Sequence, residues 1–89
     1  MAQVKIYTRS WCAYCAAALR LLRKNGVAFE QIDVTGDTSA RAWLATRTHR
    51  STVPQIFVDD RPIGGYAELR ALERDGSFER VLGVIQRQR

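Results

Sequence analysis

Eighty-nine residues, 46% apolar and 26% charged, point to one small globular domain over 1–89 and exclude a second domain, a disordered chain or a large barrel scaffold. The formal net charge of +5 sits in the first quarter: residues 1–24 carry Lys5, Arg9, Arg20, Arg23 and Lys24 with no acid, and beyond them nine bases face nine acids. No dense Lys/Arg run marks a nucleic-acid surface, no run of about 18 apolar residues spans a membrane, and Met1 to Lys5 lacks the make-up of a secretory leader, so the expectation is a cytoplasmic protein with neither nucleic acid nor membrane as partner.

Val4 to Thr8 alternates apolar and polar residues and predicts a strand, followed by a short loop over Arg9-Ser10-Trp11. From about Ala13 the period changes: Cys15, Ala18, Leu19 and Leu22 fall on one helical face, and Asn25-Gly26 ends that helix. Val27 to Val34 predicts a second strand, Thr35-Gly36-Asp37 a turn, and Asp37 or Thr38 the cap of a helix with Ala40, Trp43 and Leu44 on one face. Trp43 is expected in the core, and Arg47 to Thr52 in a loop. Gln55 to Val58 predicts a third strand, Asp59-Asp60 a tight turn, and Arg61-Pro62-Ile63 a short edge strand, since Pro62 cannot donate to a ladder. Gly64-Gly65 breaks the chain before a helix with Leu69 and Leu72. Gly76 breaks it again before a last helix with Phe78, Val81, Leu82 and Ile85. The order β-α-β-α-β-β-α-α implies a parallel first unit, a later antiparallel hairpin, and an α/β fold with a mixed four-stranded sheet flanked by helices.

The only cysteines, Cys12 and Cys15, are too few for a disulfide framework. With His49, the only histidine, they supply three of the four ligands a closed zinc site needs, so no metal site is expected. Cys12-Ala13-Tyr14-Cys15 lies where a strand gives way to a helix. The spacing places Cys12 at the helix N-terminus, where exposed N–H groups and the helix dipole favour a thiolate, and Arg9 adds positive charge. Cys15 falls one turn in, on the apolar stripe, and is expected to be buried and less acidic. One reactive thiolate beside one resolving thiol is the asymmetry that thiol–disulfide exchange uses.

Ile6-Tyr7-Thr8-Arg9, Cys12-Ala13-Tyr14-Cys15, Thr52-Val53-Pro54, Gln55-Ile56-Phe57-Val58 and Gly64-Gly65-Tyr66, in this order and at these separations, make the chain similar to the glutaredoxins, specifically the short bacterial dithiol type. The likeness runs from about residue 3 to residue 84. It implies a thioredoxin-like fold, a cis peptide before Pro54, and a monomer that reduces glutathionylated or disulfide-bonded proteins with glutathione as co-substrate. It places the Val53 backbone, between Thr52 and Pro54, beside the reactive sulfur to pair with the cysteinyl part of glutathione. The N–H groups at the helix start near Gly65, Tyr66 and Ala67 are assigned to the γ-glutamyl carboxylate. Arg9 and Arg41 match positions that meet the glycine carboxylate, and Tyr14 is a wall of the site.

Three residues depart from the family pattern. Ala13 stands where proline is usual; relatives with small residues there can hold a [2Fe–2S] cluster between two subunits through the first cysteine, here Cys12, and glutathione. Ala67 stands where a hydroxyl or carboxylate is common and offers only its N–H, with Glu68 next to it as a partial replacement. His49 stands where glycine is usual and is expected to decorate a loop. Two other readings therefore remain open: a cluster-bridged dimer, and a redoxin reduced by thioredoxin reductase. Trp11, next to Cys12, is expected to be exposed and to form part of the surface that meets a partner protein. The tail Arg87-Gln88-Arg89 is expected to be solvated.

Overall fold

The computed structural model describes residues 3–82. Eight elements follow in chain order: β1 (Val4–Thr8), α1 (Ala13–Lys24), β2 (Glu30–Asp33), α2 (Thr38–Thr48), β3 (Gln55–Val58), β4 (Arg61–Gly64), α3 (Tyr66–Arg74) and α4 (Phe78–Leu82). The expected order of elements is observed. The readings of Ile85 and of the basic tail lie outside the described residues. Among those described, no helix is long and apolar enough to cross a membrane.

The sheet runs β2-β1-β3-β4, with β1 parallel to β2 and β3 antiparallel to both β1 and β4. Val4, Ile6, Ile56 and Val58 share one face, because Val4 pairs with Val58 and Ile6 with Ile56. That face packs against Ala18, Leu21 and Leu22 of α1, Leu69 of α3, and Phe78 and Leu82 of α4. The opposite face carries Phe57, which packs with Val34 and Leu44 under α2. With helices on both sides, every residue of β3 is buried, which explains its apolar run Ile56-Phe57-Val58. Each fully buried Ile or Leu contributes roughly 1.5–3 kcal/mol to this core.

Local chemistry sets the boundaries. Asp37 caps α2 by accepting from the Ala40 N–H at 3.0 Å. Gly26, at φ +70°, closes α1 in a Schellman turn: its N–H reaches the Arg23 carbonyl and the Val27 N–H the Leu22 carbonyl. Val27 is thereby committed to the helix end, so the second strand begins at Glu30 rather than at Val27. The second helix-to-strand passage differs from expectation in the other direction. α2 continues to Thr48, and its cap is His49 in the left-handed region at φ +59°. That conformation favours glycine but is also visited by histidine. Asp59 and Asp60 both have positive φ, as a two-residue hairpin turn between β3 and β4 requires, and Pro62 lies on the edge strand as expected.

Trp43 is not in the core as expected: it is 43% exposed, with its ring stacked on Phe57 at 5.7 Å and tilted against Tyr7 at 5.7 Å. On α2 only Leu44 is fully enclosed, and the layer beneath that helix is too thin to cover an indole. On α1 the buried residues are Cys15, Ala18, Leu21 and Leu22, with Leu19 partly covered.

Candidate active site

Cys12 is the N-cap of α1, in extended backbone, and its carbonyl accepts the first helical bond from Ala16 at 3.1 Å. Its sulfur accepts the Cys15 N–H at 3.2 Å, so a first-turn donor with no helical acceptor points at the half-buried sulfur. A backbone donor and the positive end of a helix both stabilise negative charge there. The first turn of α1 holds no acid to oppose this. On the other side the Cys12 thiol donates to the Val53 carbonyl at 3.7 Å.

Cys15 is buried, with 3% of its surface exposed. Its thiol is pushed up to about 12, first by burial and then by its hydrogen bond with Cys12, while the Arg9 backbone pulls the other way and the charge of Cys12 adds a smaller push upward. Both thiols are free. The pair is therefore asymmetric: one accessible sulfur facing a donor, and one enclosed sulfur held as the thiol.

Beside Cys12 opens a cavity of about 360 Å³. The structure brings Tyr14, Thr52, Val53, Pro54, Gly65, Tyr66 and Ala67 together as its walls, with Arg50 and Glu68. The Val53–Pro54 peptide is cis. Gly65 runs so close to this segment that a Cβ would sit 3.0 Å from the Pro54 carbonyl oxygen, so glycine there lets the two walls approach. Tyr14 and Tyr66 face each other with ring centroids 5.9 Å apart. The floor of the cavity is the start of α3, where the first-turn N–H groups have no helical acceptor and suit an anion.

Arg9 and Arg41 do not join these walls. Both are exposed, Arg9 in the loop after β1 and Arg41 on the first turn of α2. The cation that the structure places at the cavity is Arg50, which sequence reasoning missed. Its guanidinium is bidentate on Glu68, at 3.2 and 3.0 Å, and Glu68 Oε1 also accepts the Gly65 N–H at 2.8 Å. Arg50 first, and the Gly65 N–H second, hold the Glu68 carboxyl down at about 2. Sequence reasoning singled out Glu68 only as a partial replacement for a side chain at Ala67; the structure makes it the cap of α3. Its partner was not legible, because Arg50 lies 18 positions away across the hairpin. His49 lies outside these walls, at the cap of α2. Among the described residues no cluster of three or more His, Cys, Asp or Glu is placed to hold a metal ion.

The arrangement can attack a disulfide at one accessible sulfur and hold an extended, charged thiol beside it. The chain is similar to known proteins. The Glutaredoxin family model matches residues 4–63. A glutaredoxin of Pseudomonas aeruginosa is 43% identical over 84 residues, covering 94% of this chain and 100% of its own. A solution structure of glutaredoxin from Brucella melitensis is 40% identical with a TM-score of 0.84, covering 96% of this chain and 95% of its own. A crystal structure of a buckwheat glutaredoxin–glutathione complex, 23% identical over 92% of this chain and 77% of its own, has the same fold with a TM-score of 0.84.

Proposed function

The chain belongs to the glutaredoxin family and is a thiol–disulfide oxidoreductase, and from that premise we propose that its reductant is glutathione and its preferred substrate a protein–glutathione mixed disulfide. The observation that carries this reading is the cavity at Cys12: Val53, whose carbonyl is 3.7 Å from the sulfur, is also a wall of the pocket that ends at the start of α3. Glutathione has a thiol, two carboxylates and one ammonium. An extended molecule with its sulfur at Cys12 runs along Val53 towards the free N–H groups of α3, where Arg50 and Glu68 present both signs of charge. The buckwheat complex supports glutathione as the ligand of this fold.

The Cys12 thiolate attacks the glutathionyl sulfur. A Cys12–glutathione disulfide forms, the original S–S bond breaks, and the protein thiolate leaves with the electron pair and takes a proton from solvent. A second glutathione, as thiolate, then displaces Cys12 and forms glutathione disulfide, so one glutathione thiol is consumed for each protein thiol released. With a protein disulfide, Cys12 forms the mixed disulfide first. Cys15 then attacks the Cys12 sulfur, a Cys12–Cys15 disulfide forms, and the second protein sulfur leaves and takes up the Cys15 proton; two glutathione thiols reduce the enzyme disulfide and leave as glutathione disulfide. The enzyme acts as a cytoplasmic monomer in this reading.

The test is glutathione-coupled reduction of a glutathionylated peptide by the wild type, Cys12→Ser and Cys15→Ser. Loss of turnover in Cys12→Ser and retention in Cys15→Ser is the expected pair of results. Wild-type protein that reduces the peptide with thioredoxin reductase but not with glutathione refutes it in favour of the reductase-coupled redoxin. A coloured, glutathione-requiring dimer without turnover favours the bridged [2Fe–2S] reading, which rests on Ala13 alone.

A further inference from the structure

Three large apolar side chains stand exposed among the described residues: Trp11 at 100%, Tyr14 at 66% and Trp43 at 43%. Two of them have aromatic partners, Tyr14 with Tyr66 and Trp43 with Phe57 and Tyr7. Trp11 is wholly in water. Its backbone also sits at φ +59°, a region that bulky L residues avoid. The loop is fixed on both sides: the Ser10 N–H donates to Thr35 Oγ1 at 2.7 Å, Thr35 Oγ1 donates to Ser10 Oγ at 3.3 Å, and Cys12 begins α1. A strained, tethered loop thus holds an indole out in solvent one residue before the reactive sulfur, with no aromatic partner for the indole among the described residues.

We propose that Trp11 is a specificity-determining contact for protein substrates, packing on apolar residues next to the cysteine whose disulfide is reduced. The occupant follows from the chemistry at Cys12. Cys12 Sγ attacks the glutathionyl sulfur, and the substrate cysteine it releases lies one S–S bond, about 2 Å, beyond that sulfur. The residues flanking that substrate cysteine, spaced about 3.3–3.6 Å apart when extended, then pass over the adjoining residue of the enzyme. Trp11 is not a wall of the cavity that lies on the Tyr14, Val53 and Tyr66 side of the sulfur. In the function proposed above glutathione takes that side, and this inference rests on that reading, so the polypeptide half of a mixed disulfide is the part that meets the indole. The proposal rests on Cys12 being the nucleophile, and the bonds made and broken are those described above.

Two glutathionylated peptides, alike except for Leu or Ser on either side of the cysteine, provide the test. The wild type is expected to favour the Leu peptide in kcat/KM by about tenfold, equivalent to ~1.4 kcal/mol. Trp11→Ala brings that ratio close to one, and Trp11→Phe restores most of it. A general disturbance of Cys12 slows both peptides alike and leaves the ratio untouched, so an unchanged ratio in Trp11→Ala overturns the proposal, as does a wild-type ratio of one. Wild-type protein inactive on both peptides overturns the nucleophile reading and this proposal with it. A second readout uses Trp43→Phe in a Cys15→Ser background, which leaves Trp11 as the sole indole. Coupling the Leu peptide's own cysteine to Cys12, by displacing an aromatic thiol from a Cys12 disulfide, should shift Trp11 emission to the blue, and emission that stays at its solvent-exposed position counts against the contact.

Discussion

Glu68 closes the first turn of α3 and ties it to the loop carrying Arg50, and removing its carboxylate in two ways separates those roles. Glu68→Gln keeps a polar atom that can reach the Gly65 N–H but loses the charge, whereas Glu68→Ala loses both. A hydrogen bond to a charged acceptor is worth ~1.5–3 kcal/mol in full, and with the carboxylate side chain 40% exposed about 1 kcal/mol remains. Glu68→Ala is therefore expected to lower Tm by roughly 4–8 °C at neutral pH, the shift ~1 kcal/mol produces in a domain of this size. Glu68→Gln should lose most of that, because it keeps only a contact to the Gly65 N–H and gives up the charge that Arg50 pairs with. The pH dependence has a definite sign. The folded state holds the carboxyl at about 2, below its ordinary 4.5, so the unfolded chain binds more protons as pH falls. The contribution is complete above about pH 5 and fades as pH drops towards 2. At face value the shift corresponds to ~3 kcal/mol, and screening at an exposed pair reduces it to about 1 kcal/mol. Urea unfolding from pH 7 to pH 2.5, about the span over which this carboxyl titrates, reads it directly. If Glu68→Gln retains the same acid slope as the wild type, or Glu68→Ala unfolds at the wild-type midpoint, the argument from this network fails.

Three further outcomes are expected. Leu22→Ala empties the centre of the larger core, where Leu22 is fully buried, and should cost about 2–5 kcal/mol, read as a lower urea midpoint with an unchanged m-value; a loss well under 1 kcal/mol would mean that α1 closes over the gap. His49→Gly relieves a left-handed cap and should stabilise by about 0.5–1 kcal/mol, whereas His49→Val should destabilise; equal midpoints for the two would show that φ there is not strained. Iodoacetamide at neutral pH should modify one thiol per native chain, Cys12, because Cys15 is enclosed and stays protonated up to about 12. Mass spectrometry finding two equivalents added at similar rates would contradict that asymmetry.

Much of this fold is legible in strings of adjacent residues. The alternation of Val4, Ile6 and Thr8, the unbroken Gln55 to Val58 run, and the Asp59-Asp60 turn each carry their conformation locally. The departures come from competition between neighbours. Val27 has the composition of a strand residue, yet its N–H closes the end of α1. Trp43 has the periodicity of a core residue, yet the layer below α2 covers only Leu44 completely. At the site, the Cys12-to-Cys15 segment, Thr52-Val53-Pro54 and Gly65-Tyr66-Ala67 were visible as short motifs because each is contiguous. Arg50 was not, since only the β3–β4 hairpin brings it to Glu68, and Arg9 and Arg41, which looked equally suitable by charge, lie away from the cavity.

The reluctance of Cys15 to ionise has two sources of different permanence. Burial belongs to the folded chain and persists through every step of a turnover. The share due to Cys12 belongs only to the reduced enzyme, because it needs a neighbouring sulfur that can hold charge or share a proton. When Cys12 becomes bonded to a substrate sulfur, that share lapses and the inner thiol is partly released. The release is incomplete, however, and an enclosed thiol then competes with small thiols reaching the accessible sulfur from outside. The balance between those two attackers sets a branching ratio at every encounter. Loosening the first turn of α1 would tip it inward, and keeping that turn tight leaves the choice with the thiol concentration of the surrounding solution.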